Sequence, residues 1–338
     1  MKDSLVDVSV LMLFFNRPEP LKKVFEQVQR AKPARLFLYQ DGPRSEADMP
    51  GIMACRQVVS AIDWDCEVHQ CYQPTNYGCD PSGFMSQQWA FSMTDKCIVL
   101  EDDVVPSPTF FTFCKEMLDR YEHDERVGMI AGFNTDERTP DVSDDYFFTT
   151  NFSIWGWASW SRVIGKRSAD YAFLDDAEAV SRLQALTEER KLRRDLLPMC
   201  QAHRLSGKAY FETIFQSQLL LQSQMTIVPR VNMINNVGVT DDSTHFAGSI
   251  STLPHGYRRI FTMGRYDLEF PLKHPRYVVE HVEYRHRVYR TMGWRSPWIK
   301  VGRSLEELYL NVKHGNWAFI AQSVRNRIRK WMGKTAYR

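Results

Sequence analysis

Three consecutive carboxylates, Glu101, Asp102 and Asp103, are the side chains of this 338-residue sequence whose types and spacing most clearly suggest chemistry. They follow the apolar run Cys97–Leu100, which is short enough to be a buried strand, and two prolines soon afterwards stop the strand from continuing. Ligands of open α/β sheets bind at the carboxyl ends of strands, and adjacent acids repel one another unless a cation or hydrogen-bond donors are present. Because oxygen ligands suit Mg²⁺ or Mn²⁺, the triplet predicts a divalent-metal and nucleotide site. An acidic surface turn is the simpler alternative.

Two more polar side chains, Arg17 and Asp41, follow other predicted strands. Val8–Phe15 is apolar throughout, as a central parallel strand would be, and Arg35–Tyr39 is a second strand, reached through a helix predicted from about Pro18 to Gln29. This βαβ unit places Arg17 and Asp41 at adjacent strand ends, where they could hold a diphosphate and a base or ribose respectively. Asp41 is also followed by Gly-Pro, which makes a simple turn the alternative.

Glu212 and His245 are candidates from the second half of the chain. Glu212 lies in the bulky apolar run Tyr210–Phe215, ahead of a helix predicted over Gln216–Gln224. Burial there would raise its pKa and suit it to proton abstraction, although a structural acid with a partner is as compatible with the sequence. His245, in a polar loop, could reach a phosphate or the metal, or it could simply be solvated.

An aromatic stretch over Phe147–Trp160 interrupts the alternation of strands and helices. Its tryptophans, Trp155 and Trp157 among them, could form a flat apolar wall for a sugar ring, because aromatic faces pack on the C–H surfaces of pyranoses. They could equally belong to the core.

The remaining pattern indicates a mixed, mainly parallel central sheet flanked by helices, with a helical C-terminal extension. We expect a nucleotide-binding and catalytic domain over residues 1–250 and the extension over residues 251–338. The further elements expected from the pattern are helices at about Met53–Ile62, Phe84–Phe91 and Phe110–Tyr121, strands at Cys66–Tyr72, Val127–Ala131 and Ile227–Val231, and a charged helical region over Ala177–Leu205.

Composition narrows the class of protein. A hydrophobic fraction of 43% with 13% aromatic residues supports a large core, which excludes a disordered or fibrous chain. A formal charge of +2 is too small to indicate a nucleic-acid partner. Seven cysteines without a C-x-x-C pair are typical of reduced thiols in a cytoplasm, and no apolar stretch is long enough to span a membrane. The sequence therefore predicts a cytoplasmic protein, either free or peripheral on the inner membrane face.

The tail from about Tyr277 alternates basic and aromatic residues, a composition typical of helices on anionic membrane surfaces. A solvated helical cap or a subunit contact is as compatible with it. The residues concerned are Arg285, Arg287, Arg290, Arg295, Lys300, Arg325, Arg327, Arg329, Lys330 and Lys334, with Trp294, Trp298, Trp317, Phe319, Ile320, Ile328 and Trp331 between them.

Between about Val8 and His245 the chain resembles the GT-A nucleotide-sugar glycosyltransferases. More narrowly, it is similar to a bacterial group related to the N-acetylglucosaminyltransferase that begins complex N-glycan branching. The motifs that carry the resemblance, in chain order, are Phe15–Pro18, Gln40–Pro43, Asn76–Cys79, Leu100–Asp103 with Pro106 and Phe110–Phe111, Trp155–Trp160, and Asn236–Gly238 before Thr244–His245.

The resemblance implies that Asp103 binds the metal, that Asp102 lies near the ribose and Glu101 near the donor sugar, and that Arg17 and Asp41 hold the nucleotide. The other residues that it places on the donor side are Asn76, Gly78, Trp155, Trp157 and His245. The family's usual catalytic base is an Asp at the start of a helix, and Glu212 is the nearest equivalent in this chain. The glutamate departs from the family's pattern, and so does Thr213, which stands where some relatives have a second acid.

These roles imply an inverting single displacement in which Glu212 deprotonates an acceptor hydroxyl. The expected partners are a UDP-sugar donor and a glycan or lipid-linked glycan acceptor, as in bacterial surface polysaccharide or lipopolysaccharide synthesis. A sugar nucleotidyltransferase is less compatible, because no glycine-rich Arg/Lys loop follows the first strand, and a phosphohydrolase would need more separated Asp and His ligands. A non-catalytic sugar- or nucleotide-binding protein is the third alternative.

Overall fold

In a computed structural model, the structure of the chain is described for residues 6–238, 250–294 and 296–331. Its central feature is an eight-stranded sheet flanked by helices, with a separate two-stranded ribbon made by β5 and β10. The strands are β1 Val6–Phe14, β2 Pro33–Gln40, β3 Glu67–Tyr72, β4 Lys96–Glu101, β5 Val104–Pro106, β6 Val127–Ala131, β7 Tyr146–Thr149, β8 Trp157–Trp160, β9 Met225–Pro229 and β10 Ile234–Asn236. The helices are α1 Pro18–Ala31, α2 Met49–Val59, α3 Cys79–Phe91, α4 Phe110–Arg120, α5 Ser161–Ile164, α6 Ala177–Leu186, α7 Arg190–Ser206, α8 Phe211–Leu221, α9 His255–Thr262, α10 Val282–Thr291, α11 Pro297–Lys313 and α12 Trp317–Trp331.

The large sheet has the strand order β3-β2-β1-β4-β8-β6-β9-β7. Strands β3, β2, β1 and β4 are mutually parallel, as are β6 and β9, whereas β8 runs antiparallel between β4 and β6 and β7 runs antiparallel at the edge. The predicted fold class, a mixed and mainly parallel sheet with helices around it and a helical C-terminal extension, is confirmed.

The register of the sheet brings the candidate residues to one edge. Leu13 of β1 pairs with Glu101 of β4, and Phe14 pairs with Gln40 of β2, so the three strands end at the same level. Residues that directly follow these strands therefore meet at the carboxyl edge, where open α/β sheets bind their ligands.

Three predicted boundaries were wrong in ways that matter for the site. The aromatic stretch contains β7 and β8, two strands that were not predicted, although the alternation of strands and helices does lapse there as expected. The charged helical region is divided into α6 and α7, because residues 187–189 between them leave the helical conformation. Helix α8 begins at Phe211, directly after the extended residue Tyr210, so that Glu212 lies in its first turn and not ahead of the helix.

Chain segments after residue 250 contribute to the packing of the sheet. Ile260 and Leu268 are buried in the same apolar cluster as β1 and β4. On the other side, the ring of Tyr284 lies 4.7 Å from that of Phe147 on β7, and the Tyr284 hydroxyl accepts a hydrogen bond from the backbone N–H of Thr135. The division of the chain at residue 250 stays a prediction.

Arg285 on α10 is the centre of a partly buried ionic cluster. Its guanidinium lies 2.9 Å from a carboxylate oxygen of Glu280, 3.1 Å from Glu188 and 3.6 Å from Glu189, and only 8% of its side chain is exposed. Removing one partner of a buried pair leaves uncompensated charge. We expect Arg285→Met to lower the free energy of unfolding by about 3 kcal/mol, measured by urea denaturation.

The matched control for this prediction is Arg204→Met, which removes an even closer pair with Asp175, 2.6 Å apart at the surface. Water and salt screen such a pair, so the urea midpoint should stay nearly unchanged. Equal effects of the two substitutions would contradict a structural role for the Arg285 cluster.

Within the part of the chain that the structure describes, none of the helices combines the length and apolar character needed to cross a bilayer.

Candidate functional site

A cleft of 820 Å³ opens at the carboxyl edge of β1, β2 and β4. The loops after β1 and β2, the start of α3, and Glu101 and Asp102 of the acidic triplet form its walls. Its lining residues are Leu13, Phe14, Phe15, Asn16, Arg17, Asp41, Arg44, Asn76, Gly78, Cys79, Ser82, Glu101 and Asp102. The volume falls within the usual range of small-molecule sites, about 300–1,000 Å³.

Arg17 joins the loop after β1 to the acidic triplet. Its guanidinium donates to both carboxylate oxygens of Asp102, and to Oδ2 of Asp103 over 2.8 Å. Burial alone would lower the pKa of Arg17, but the charges of Asp102 and Asp103 raise it above its ordinary value. The structure thus brings the predicted diphosphate-binding cation to the predicted metal-binding acids.

Two acids of the triplet, Glu101 and Asp102, have perturbed pKa values. Burial raises the pKa of Asp102 to about 6, against the opposing effect of the Arg17 charge. Burial raises the pKa of Glu101 well above its usual range, and the negative charges of Asp103, Glu212 and Asp102 raise it further. Desolvation together with several like charges is an arrangement found at functional sites, and a bound cation would relieve the repulsion.

Asp103 has one carboxylate oxygen that suits a cation. Oδ2 accepts from Arg17, whereas Oδ1 is buried and accepts no hydrogen bond from any residue between 6 and 331 that the structure describes. A buried carboxylate oxygen without a donor is costly unless a cation lies against it. The residues therefore fit a divalent ion such as Mg²⁺ or Mn²⁺, which takes one or two protein carboxylates and completes its shell with phosphate oxygens and water.

Gly238, directly after the β5–β10 ribbon, holds the chain against Asp103. The backbone N–H of Val237 donates to the Asp103 carbonyl over 2.8 Å. A Cβ atom on Gly238 would lie 2.0 Å from Asp103 Oδ2, closer than any real contact. Only glycine lets this segment approach the carboxylate so closely.

We therefore expect Gly238→Ala to displace the Asp103 carboxylate and to lower the free energy of unfolding by about 1–3 kcal/mol, measured by urea denaturation. Gly302→Ala is the control, because a Cβ there meets no atom within 4 Å. Its exposed position within α11 should make that alanine neutral or slightly stabilising. An unchanged stability of Gly238→Ala would contradict the tight contact.

Asp41 binds the loop that follows β3. Its Oδ1 accepts from the backbone N–H groups of Gly42 and Tyr77, and its Oδ2 accepts from the N–H of Gly78 and the amide of Asn76, all over 2.9–3.0 Å. These four donors use the whole acceptor capacity of a carboxylate. Asp41 therefore fixes the 76–78 loop, and it lines the cleft together with Asn76 and Gly78 of that loop. Its predicted contact with the base or ribose stays a prediction.

The two tryptophans lie outside the lining of the cleft, and a contact of Trp155 with a sugar ring stays a prediction. Trp157 is 1% exposed and its ring packs 5.1 Å from that of Phe215, so it belongs to the core. Trp155 is half-buried, with Phe133 at 4.9 Å and Phe261 at 5.3 Å. Neither indole is among the side chains that line the cleft, because β8 inserts Trp157 into the sheet and Trp155, before β8, packs on Phe133 and Phe261.

Glu212 lies near the triplet: burial raises the pKa of Glu101 and that of Cys79 at the start of α3, and the charge of Glu212 raises both further. The expectation that Glu212 is buried was wrong: its side chain is exposed, because the first turn of α8 directs its apolar neighbours inward instead. Thr213 is buried, and its hydroxyl lies 2.6 Å from that of Tyr171 and 2.9 Å from His203 Nδ1, so it is a structural residue. His245 lies outside the described residues.

Sequence reasoning missed Arg44, a second cation of the cleft. Its side chain is mostly exposed and its guanidinium carbon lies 5.0 Å from the centre of the Phe15 ring. Asp48 holds it through a 2.6 Å contact and also accepts from Asn16 over 2.8 Å. A basic residue three positions after Asp41, on the same turn, was the available clue.

A second group of potential ligand atoms lies away from the cleft. Glu188, Glu189 and His286 bring one such atom each within 4.8 Å of one another. Arg285 already supplies a positive charge there, over 3.1 Å to Glu188, so the ionic cluster of α10 accounts for these acids.

Among known proteins, this chain is similar only to solved structures. No protein-family model matches the chain, and no curated protein matches its sequence. Similar solved structures include the glycosyltransferase GlyE of Streptococcus pneumoniae TIGR4 (8% identity, TM-score 0.31, covering 65% of this chain and 44% of that one). Mouse xyloside xylosyltransferase 1 is also similar (12% identity, TM-score 0.33, covering 64% of this chain and 81% of that one). So is the inositol-1-phosphate CTP transferase of T. maritima (10% identity, TM-score 0.35, covering 78% of this chain and 97% of that one). This chain thus spans less than half of GlyE, and likenesses of this size do not bear on its activity.

Proposed function

We propose that the chain is a metal-dependent, inverting glycosyltransferase that moves a hexose or N-acetylhexosamine from a nucleoside-diphosphate sugar, expected to be a UDP-sugar, to a hydroxyl of a glycan or lipid-linked glycan. The observation that carries this proposal is the buried Oδ1 of Asp103, which lacks a donor among the described residues and follows Asp102, a lining residue of the 820 Å³ cleft. A cation held there and a diphosphate would satisfy each other's charge. The resemblance of the sequence motifs gives the donor class.

The cation end of the site rests on two residues. Asp103 would hold Mg²⁺ or Mn²⁺, and Arg17, which already contacts Asp103 and Asp102, lies where it could bind the diphosphate. When bound, the metal would offset the charge that develops on the departing nucleoside diphosphate. Arg44 offers a further cation on the same cleft, and its fixed position over Phe15 limits the cost of ordering it.

Glu212 would act as the general base. As an exposed carboxylate close to Glu101, it can be reached by an acceptor that enters from solvent. Its carboxylate would take the proton of the acceptor hydroxyl while that oxygen attacks the anomeric carbon and the bond to the diphosphate breaks. Asp102 and Glu101, covered by neighbouring residues, would position ribose and sugar hydroxyls.

The direct test is donor hydrolysis, the slow transfer to water that glycosyltransferases can perform without an acceptor. The protein is incubated with UDP-, GDP- and TDP-sugars in Mn²⁺, in Mg²⁺ or in EDTA, and released nucleoside diphosphate is measured. We expect release from one donor class with metal and none with EDTA. Release of pyrophosphate from a nucleoside triphosphate and a sugar phosphate would instead show a nucleotidyltransferase. If the protein bound a nucleotide in the presence of metal but released no product, it would be a non-catalytic binding protein.

A further inference from the structure

Helices α11 and α12 each expose apolar side chains along one face. On α11 they recur every three or four residues, as they do on the buried face of an amphipathic helix, yet they are exposed. Trp298 is 79% exposed and Trp317, at the start of α12, is 64% exposed. The other exposed apolar residues of the pair include Val301, Leu305, Leu308, Val312, Val324 and Ile328.

The two stripes converge on an open groove. The groove has a volume of 410 Å³, and Val301, Leu305 and Leu308 of α11 face Phe319 and Val324 of α12 across it. No segment among residues 6–238, 250–294 and 296–331 covers it. Contiguous exposed apolar surface of this kind usually marks an interaction site.

Positive charge is concentrated in the same two helices. Residues 297–331 carry seven Lys and Arg residues and two Glu residues, although the whole chain has a formal charge of only +2. One of the two acids, Glu306, accepts a hydrogen bond from the backbone N–H of His255 over 2.8 Å and so is turned toward the protein. Lys313 and Arg325 are exposed, and Lys300 lines the groove beside the other acid, Glu307, so the described surface of the pair carries apolar and basic side chains.

We propose that α11 and α12 together form a docking surface for an anionic phospholipid bilayer. Charge complementarity selects this occupant: anionic headgroups match the Lys and Arg residues, and the acyl boundary accepts the apolar stripes. Exposed indoles such as Trp298 and Trp317 suit the interface, where their rings are apolar and their N–H groups meet water. A second copy of the chain is disfavoured, because it would bring two like-charged surfaces together.

A continuous set of contacts connects this surface to the cleft. Arg303 of α11 lies 3.9 Å from the centre of the Tyr257 ring on α9. The carbonyl of Met263, which ends α9, accepts from the Asn235 amide of β10 over 2.8 Å, and β10 pairs with β5, directly after Asp103. If the proposed function holds, a bilayer docked on α11 and α12 would present a lipid-linked acceptor; docking itself does not depend on that function.

The experiment is flotation of the full chain with vesicles of phosphatidylglycerol and phosphatidylcholine, or of phosphatidylcholine alone, without nucleotide or metal. We expect binding to the anionic vesicles and loss of it at high salt. Lys300→Gln with Lys313→Gln should weaken binding at least about tenfold, since each basic residue near an anionic surface contributes measurably. Trp298→Ser with Leu305→Ser should weaken it comparably, because apolar burial is lost.

Matched controls separate docking from general effects on charge or folding. Lys22→Gln with Lys23→Gln removes equal charge from the exposed face of α1, and Leu186→Ser with Leu205→Ser removes exposed apolar side chains elsewhere. Both should bind vesicles as the wild type does. Equal binding to neutral and anionic vesicles, or no binding to either, would overturn the proposal. A lower oligomeric state of Trp298→Ser with Leu305→Ser, at unchanged vesicle binding, would assign the groove to a second copy and overturn it too.

Discussion

Replacing Asp103 with asparagine is expected to lower the metal-dependent release of nucleoside diphosphate from a nucleotide sugar by about 100- to 1,000-fold, the range seen when one group that stabilises transition-state charge is removed. The reason is local. Asparagine keeps the size of the side chain and an oxygen acceptor for Arg17, but it removes the negative charge of the buried carboxylate whose Oδ1 has no donor within the described ranges. The measurement is kcat/KM for the donor at saturating Mn²⁺.

Two controls accompany this substitution. Asp65→Asn makes the same chemical change at an exposed position before β3 and should leave kcat/KM unchanged. Raising the Mn²⁺ concentration should rescue part of the Asp103→Asn activity if metal affinity is what was lost. Wild-type activity of Asp103→Asn, or equal losses in both variants, would remove Asp103 from the cation site.

Glu212→Gln is expected to lower kcat by about 100- to 10,000-fold, the contribution typical of a general base. Nucleotide affinity should change little, because Glu212 is not among the residues that line the cleft. Glutamine keeps the shape of the side chain but cannot take a proton, whereas Glu212→Asp can. The measurement is steady-state kinetics with nucleotide binding in parallel, and a selective loss of kcat identifies a role in turnover.

Helix α6 provides the matched control for Glu212. Glu178 is likewise an exposed glutamate in the first turn of a helix, and its partner Arg182 lies on the same helix. Glu178→Gln should leave kcat and nucleotide affinity unchanged. If Glu212→Gln kept more than a tenth of the wild-type kcat, or if Glu212→Asp lost as much as Glu212→Gln, proton abstraction by this side chain would be contradicted.

The parallel half of the sheet could be predicted from the sequence because each of its strands is a local feature. Strands β1, β2 and β4 are apolar runs that end at polar or proline-rich segments, and parallel strands carry their ends to one edge. The meeting of Arg17 with Asp102 and Asp103 follows from that rule alone. Local pattern was sufficient there, since the register of neighbouring strands places the ends at the same level.

The strands of the aromatic stretch, Phe147–Trp160, could not be predicted, for the opposite reason. Strand β8 is four residues long and buried on both faces, so it shows no alternation that could indicate a strand. Its place between β4 and β6 is decided by pairing with distant segments, which no local pattern contains. The same insertion takes Trp157 into the core, where its large apolar ring fills space beside Phe215.

Glu212 and Asp41 show how sequence neighbours mislead. The apolar residues around Glu212, among them Phe211, Ile214 and Phe215, lie on the inward side of α8, whereas Glu212 points away from them; adjacency in sequence is not adjacency in space on a helix. Asp41 lies at the predicted edge, but the loop that its carboxylate binds comes from residues 76–78, more than thirty positions away. Only the folded chain shows which acid has spare acceptor capacity.

The most direct test of the central claim is thermal unfolding of the wild-type protein in a panel of nucleoside diphosphates, each with and without Mn²⁺, beside Asp103→Asn. A ligand at about 100 times its Kd should stabilise the native state by about 2.7 kcal/mol, a rise in Tm of roughly 5 °C for a protein of this size. The account predicts such a rise for one nucleotide, only with Mn²⁺ and only in the wild type. If no nucleotide shifts the wild-type Tm under any metal condition, or if Asp103→Asn responds equally, the cation-assisted nucleotide site at Asp103 is contradicted.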